Sequence, residues 1–281
     1  MPTRREVIGR IRCALTPLYG PREAEQIARR FAFERGGFTL THYVVRPDEE
    51  LPIPDLEESI RQLAAGRPVQ YVLGYTEFCG MTFAVGEGVL IPRPETEELV
   101  AAVAAETPAG TTVLDVGTGS GCIAVSLARL IPHACVTAVD LSPQALDVAR
   151  RNAERLGAEV RFVQADALTG LSELTEDSFD LVVSNPPYVP QSDRAAMHIN
   201  VRGYEPREAL FVPDDDPLRF YRSIARTARR LLRSDGRLWF EIYERLADET
   251  AQLLADEKFA DIVVRRDIND KPRMLCCTVK K

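Results

Sequence analysis

Leu114-Asp-Val-Gly-Thr-Gly-Ser-Gly-Cys-Ile-Ala-Val125, LDVGTGSGCIAV, is the stretch on which the fold turns. A β-branched, apolar run leads into it from Thr112. Gly117, Gly119 and Gly121 then break the run, and an apolar pattern with helical spacing follows. Glycine permits a tight turn at positive φ and lets a ligand approach bare backbone. A strand, a glycine turn and a helix in that order predict the ligand loop of an open α/β sheet.

Outward from this loop the chain alternates between two patterns. Strand-like runs read TVLDVG, ACVTAVD, VRFVQAD, FDLVVSN, GRLWFEIY, FADIVVRRD and RMLCCTVKK, seven in all. Helical patterns fall between them, for example Pro143–Leu156 and 217–232. Continuous Val/Ile/Leu-rich strands separated by helices predict a largely parallel sheet covered on both faces. The adjacent Cys276 and Cys277 sit in the last strand and should point to opposite faces.

Two acids end strands near the loop. Asp140 stands 19 positions after Gly121 (140 − 121). Ser142-Pro143 already supplies an N-cap and a first-turn proline for the next helix, which leaves Asp140 open to accept from ribose hydroxyls. Asp166 ends the following strand, where it either reaches an adenine edge or simply forms a turn. No G-x-x-x-x-G-K-[ST] motif exists, and the spacing is not G-x-G-x-x-G. The ligand that fits is a nucleoside without pyrophosphate.

The fourth strand stops at Asn185-Pro186-Pro187-Tyr188. Consecutive prolines cannot extend a hydrogen-bonded ladder and hold φ near −65°. In a parallel order this strand lies beside the first, so these residues should face the glycine loop. The Asn185 side-chain oxygen and the Pro186 carbonyl can accept the two N–H groups of a planar amide or exocyclic amine. Tyr188 can stack on its face. Near-attack placement of this kind supplies about 7–11 kcal/mol in favourable cases, and the acceptors polarise the nitrogen as charge develops. Asn-Pro and Pro-Pro also occur as plain turn dipeptides.

Before the sheet, residues 1–67 carry helical periodicity. Thr3 and Glu6 form a capping box ahead of Val7, Ile8, Ile11 and Leu15, a second helix runs from Pro21 to Glu34, and a third from about Asp55 to Gly66. Residues 68–94 mix aromatic and β-branched residues with glycines and are expected to form a β-hairpin linker. Residues 95–281 are expected to be the catalytic domain.

Bulk properties narrow the class. The 281 residues carry a net charge of −7, and 45 % are hydrophobic, as in an ordinary soluble globular protein. An acidic balance weighs against a grip on long nucleic acid. Six cysteines show no CxxC spacing, and the three histidines are far apart, so no zinc site is expected. No segment reaches the roughly 18 apolar residues of a membrane span, and no secretory h-region follows the first arginines. A cytoplasmic protein is expected.

The phrases DVGTGSG, AVDLS, QAD and SNPPY resemble class I S-adenosylmethionine-dependent methyltransferases acting on amino and amide nitrogens. PVQYVLGYTEFCG, LIPRPETEELV and GYEPREAL resemble the HemK/PrmC family of peptide chain release factor glutamine-N5 methyltransferases. The resemblance implies a Rossmann-like, mostly parallel seven-stranded sheet. It assigns cofactor binding to Gly117, Thr118, Gly119, Ser120, Gly121, Asp140, Asp166, Ala167 and Asn185. It assigns catalysis to Asn185, Pro186 and Tyr188, and substrate binding to these with Pro187 and Arg93. S-adenosylmethionine is the implied cofactor, no metal is expected, and class I release factors are the implied partners. Glu95 is expected to help Arg93 close the site, Glu97 to be a solvated helix residue, and Glu205-Pro206 to order the loop after the site. The helical domain is the implied docking surface.

Two departures stand out. Glu241-Ile242-Tyr243 replaces Glu-Ile-Gly, and Asn269-Asp270 replaces a glycine before the last strand. Because Asn-Pro-Pro-Tyr is shared with nucleic-acid amino methyltransferases, a DNA or RNA amine and a ribosomal-protein glutamine stay open as substrates. So does a module that binds the cofactor without turnover.

Overall fold

The structure is a computed structural model and describes residues 1–172 and 174–280. It divides into two compact units, Met1–Tyr75 with His198–Tyr204, and Thr76–Met197 with Glu205–Lys281.

The smaller unit is helical. Its first helix, Arg4–Gly36, opens on the expected capping box: the Thr3 hydroxyl accepts from Glu6 N at 3.3 Å and the Glu6 carboxylate from Thr3 N at 2.8 Å. The two helices expected here meet at Gly20, whose φ of 74° and ψ of 167° break the spiral between Pro17 and Pro21. The expected third helix is Leu56–Ala64, and a short helix at Leu40–Val45 is additional. Val69–Leu73 is helical as well, so the hairpin read over 68–94 contracts to strands Tyr75–Phe78 and Met81–Ala84. The apolar residues Val69, Tyr71 and Leu73 are buried, and Val69 and Leu73 pack with Phe31 and Leu63. Helix satisfies their backbone locally, and that packing overrides their β-propensity.

The larger unit carries a seven-stranded sheet. Its strands are β1 (Thr112–Val116), β2 (Cys135–Asp140), β3 (Val160–Gln164), β4 (Phe179–Ser184), β5 (Leu232–Glu241), β6 (Phe259–Arg266) and β7 (Pro272–Val279). The spatial order is β6-β7-β5-β4-β1-β2-β3, with β7 antiparallel to both neighbours and the rest parallel. Five helices cover it: α1 (Pro94–Glu106), α2 (Cys122–Leu130), α3 (Pro143–Leu156), α4 (Arg219–Leu231) and α5 (Ala247–Asp256).

Strand alternation sorts the core into two layers. Val113, Leu181, Val183, Trp239 and Cys276 pack with Leu99 of α1 and Ile123 of α2. Leu114, Val182, Leu238, Phe240 and Cys277 pack with Tyr221 of α4 and Leu254 of α5. Cys276 and Cys277 thus do face opposite ways. Between β6 and β7, Asp270 takes a φ of 59°, which keeps the turn without the glycine.

The chain winds β1, β2, β3 to one side and then returns to place β4 on the other side of β1. Carboxyl ends of strands at such a reversal diverge and leave a crevice where ligands bind. Residues Gly117–Gly121 and Asn185–Tyr188 leave the two strands that flank it.

Candidate functional site

The crevice is a cavity of about 560 Å³ lined by Gly117, Gly119, Asp140, Asp166, Ala167 and the Asn185-Pro186-Pro187 turn, among others. That volume lies within the range of small-molecule sites, about 300–1,000 Å³. A second groove lies near Thr112, Cys135 and Phe179, at the opposite ends of the strands and away from the glycine loop and the Asn185 turn.

The glycine loop is built around β2. Gly117 N and Thr118 N both donate to Val139 O, at 2.9 and 3.0 Å. All three glycines hold positive φ, and a side chain on Gly117 or Gly119 would meet open space, so bare backbone faces the crevice. Gly121 has a different reason. A Cβ there would lie 3.0 Å from the Ala149 Cβ, so the missing side chain lets α2 pack against α3. Thr118, Ser120 and Gly121 are buried behind the loop and do not line the cavity.

Asp140 is partly engaged rather than free. Its Oδ2 accepts from Gly119 N at 2.8 Å and its Oδ1 from Ser142 N at 2.9 Å, while Ser142 caps α3 through Ala145 N. Each oxygen keeps a second lone-pair direction for a ligand hydroxyl. Burial pushes its pKa up, against the pull of those backbone hydrogen bonds. Asp166 forms a turn, accepting from Leu168 N at 2.8 Å, and also lines the cavity. Bare loop backbone, a carboxylate with spare acceptors and a cavity of this size fit a nucleoside-bearing cofactor.

Beneath the loop lies Asp115, which the sequence reading passed over. It is fully buried, accepts from the Thr118 hydroxyl at 2.6 Å and from Ala124 N at 3.2 Å, and burial pushes it up to about 7.

The turn after β4 is held from behind by two further residues missed in the sequence. Asn185 Nδ2 donates to Thr96 Oγ1 at 3.2 Å, and the Thr96 hydroxyl donates to Glu241 Oε2 at 2.6 Å. Tyr188 OH donates to the other Glu241 oxygen at 2.9 Å. Thr96 and Glu241 are 2 % and 1 % exposed, and burial pushes the Glu241 pKa up. Tyr188 does not line the cavity. Its ring stacks on Tyr243, with centroids 5.8 Å apart, and the Tyr243 hydroxyl donates to Asp193 at 2.6 Å. One face of Tyr188 is therefore taken by a residue of this chain. Composition carries no trace of the network, because Thr96 and Glu241 lie 145 positions apart.

Arg93 does not line the cavity either. It pairs with Glu205 Oε1, and Glu205 Oε2 accepts from Ile91 N at 3.1 Å. These bonds tie the PRPETE segment to GYEPREAL, as the ordering role read for Glu205 anticipated. Glu97 is half-buried, not fully solvated. Apolar wall comes from Val89, Leu90, Phe211 and Phe220, which no motif announced. Among the described residues, no cluster of His, Cys, Asp and Glu could hold a metal ion.

Comparison with known proteins decides the family. The sequence model described as "Methyltransferase domain" matches residues 108–276. A release factor glutamine methyltransferase of Bacteroides thetaiotaomicron is 42 % identical over 268 residues, 94 % of this chain and 96 % of that protein. This chain belongs to the release factor glutamine methyltransferase family. The protein of that name from Chlorobaculum tepidum is 45 % identical over 243 residues, covering 82 % of each chain. A methyltransferase structure from Pyrococcus furiosus, 17 % identical, shares the fold with a TM-score of 0.53 over 72 % of this chain and 91 % of that one. The family is S-adenosylmethionine-dependent, and the crevice suits that methyl donor. No helix among the described residues is long and apolar enough to cross a membrane.

Proposed function

We propose that this methyltransferase modifies the side-chain amide nitrogen of the glutamine in the GGQ loop of class I peptide chain release factors, in the cytoplasm. The observation that carries the reading is the adjacency of β1 and β4, from whose ends Gly117–Gly121 and Asn185–Tyr188 depart, in a chain of this family. Bound against Gly117, Gly119, Asp140, Asp166 and Ala167, S-adenosylmethionine supplies a sulfonium-activated methyl group.

An amide nitrogen is a poor nucleophile because its lone pair is delocalised. Asn185 Oδ1 and the Pro186 carbonyl accept its two N–H groups and turn the lone pair toward the methyl group. Both acceptors also stabilise the positive charge that develops on nitrogen, and one N–H proton leaves after transfer. The prolines fix the acceptor directions through φ. Tyr188, with one face on Tyr243, offers at most its other face to the amide. Arg93 acts on the substrate side by holding Glu205 and, with it, the two loops.

The helical unit is the proposed docking surface for the protein substrate. Several of its arginines are paired within the unit: Arg4 with Glu49, Arg5 with Asp48, Arg10 with Glu57 and Arg29 with Glu25.

The test is mass spectrometry of a purified release factor after incubation with the protein and S-adenosylmethionine. One methyl group on the GGQ glutamine is expected. Asn185→Ala should lower kcat by about 10²–10³, the loss of one oriented hydrogen-bonding group. An unmodified release factor beside a methylated ribosomal protein or nucleic acid would overturn the substrate assignment. Undiminished turnover by Asn185→Ala would overturn the site.

A further inference from the structure

The four-residue chain behind the site has a direction. We infer that Glu241 is a positioning residue that, through Thr96, locks the Asn185 amide in the one orientation that can accept from the substrate nitrogen. The inference rests on the function proposed above for Asn185.

The direction follows from counting protons. Glu241 is buried, and both of its oxygens accept, one from the Thr96 hydroxyl and one from Tyr188 OH. Threonine has a single hydroxyl proton. Since that proton is given to Glu241 at 2.6 Å, Thr96 Oγ1 can only accept from its other neighbour, Asn185, 3.2 Å away. The Asn185 NH2 must therefore face Thr96. A flipped amide would oppose Oδ1 to an oxygen lone pair across a buried gap and leave that acceptor unmatched, at about 1–3 kcal/mol. With the NH2 held behind, Oδ1 is the atom presented on the other side, where Asn185 lines the cavity.

Acceptance at both Glu241 oxygens is what sets the direction. A neutral group in its place, able to donate, would free the Thr96 proton to point at Asn185 and reverse the amide. The groups that face Glu241 are mixed. Arg273 of β7 favours the carboxylate, Glu95 of α1 opposes it, and Thr96 and Tyr188 donate to it. Tyr221 of α4 contributes its hydroxyl to the Glu241 backbone oxygen at 3.2 Å. Arg273 is itself anchored by Asp267 at 3.1 Å.

Three variants of the full-length protein test this: Thr96→Val, Thr96→Ser and Glu241→Gln. Valine keeps the shape of threonine and removes the relay, whereas serine keeps the hydroxyl. Thr96→Val is expected to lose about 10²-fold in kcat while its cofactor Kd stays within about twofold. Thr96→Ser should restore kcat to near the parent value, whereas Glu241→Gln, which lets the amide reverse, should lose at least as much kcat as Thr96→Val; parent-like kcat in Glu241→Gln would overturn the role given to Glu241. A second readout does not depend on turnover. The Asn185 side-chain NH2 pair, identified in ¹⁵N–¹H spectra by its absence from Asn185→Asp, should exchange slowly with solvent in the parent and Thr96→Ser and rapidly in Thr96→Val.

Parent-like kcat and exchange in Thr96→Val would overturn the inference. Equal losses in Thr96→Val and Thr96→Ser would also overturn it, since packing alone would then explain the site. If the parent methylates no release factor, the proposed substrate fails, and the exchange measurement still decides the orientation of Asn185.

Discussion

Asp115 shows how a single buried group couples the loop to solution conditions. Its folded pKa, pushed up to about 7 by burial, lies above the unfolded value for aspartate. Such a group favours the fold while it is protonated, and that contribution is lost as pH rises through the folded pKa. The parent should therefore lose stability as pH rises from about 4, the unfolded value, to about 7, the folded one, and change little above that. Asp115→Asn, neutral throughout and still able to accept from Thr118 and Ala124, should not show this loss. Thermal melts of both proteins across that pH range check it, and parallel pH profiles would refute the assignment. Asp140 is also raised by burial, but there the backbone hydrogen bonds from Gly119 and Ser142 pull the other way.

At the level of elements, caps and breaks decide where chemistry-bearing loops begin. Helix α3 starts where the Ser142 hydroxyl accepts from Ala145 N at 3.2 Å, directly after Asp140. Ser142→Ala should destabilise the protein by about 1 kcal/mol, and for a domain of this size should lower Tm by about 2–4 °C. Differential scanning fluorimetry reads it, and an unchanged Tm would mean that Asp140 and Pro143 already suffice to start the helix. Gly121 sets a second element boundary through its φ of 81° and the 3.0 Å approach of Ala149. In the helical unit, Gly20 divides one spiral into two without ending it, which is why sequence periodicity reads two helices. The stretch Val69–Leu73 went the other way. Val69, Tyr71 and Val72 are β-formers by type, yet the stretch is helical, with Val69 and Leu73 buried against Phe31 and Leu63.

For the molecule as a whole, long-range ties matter more than any local motif. Glu205, 1 % exposed in its side chain, joins Arg93 and Ile91 from more than a hundred positions away. Glu205→Ala leaves the Ile91 N–H unmatched, which should lower stability by about 1–3 kcal/mol. It should also raise KM for the protein substrate while cofactor Kd holds, because Asp140 and the glycine loop are untouched. Equal loss of both affinities would instead make Glu205 a support of the entire crevice. Tyr188 belongs to this scale too. Its hydroxyl is spent on Glu241 and one ring face on Tyr243.

What the sequence by itself determined is local and periodic. The glycine loop, the acids at strand ends, the diproline turn, the capping box and the alternation of strands with helices each depend on φ/ψ preference and spacing over a few residues. From these followed the α/β class, a largely parallel sheet and the meeting of the loops after β1 and β4. Only the tertiary structure decided which polar groups meet behind the site. Thr96, Glu241 and Tyr188 come from three distant segments, and Asp115 is an ordinary strand residue until it is buried. Hydrogen-bond direction and pKa depend on what burial removes and on which partner lies about 3 Å away, and neither quantity is written in the order of residues along a chain.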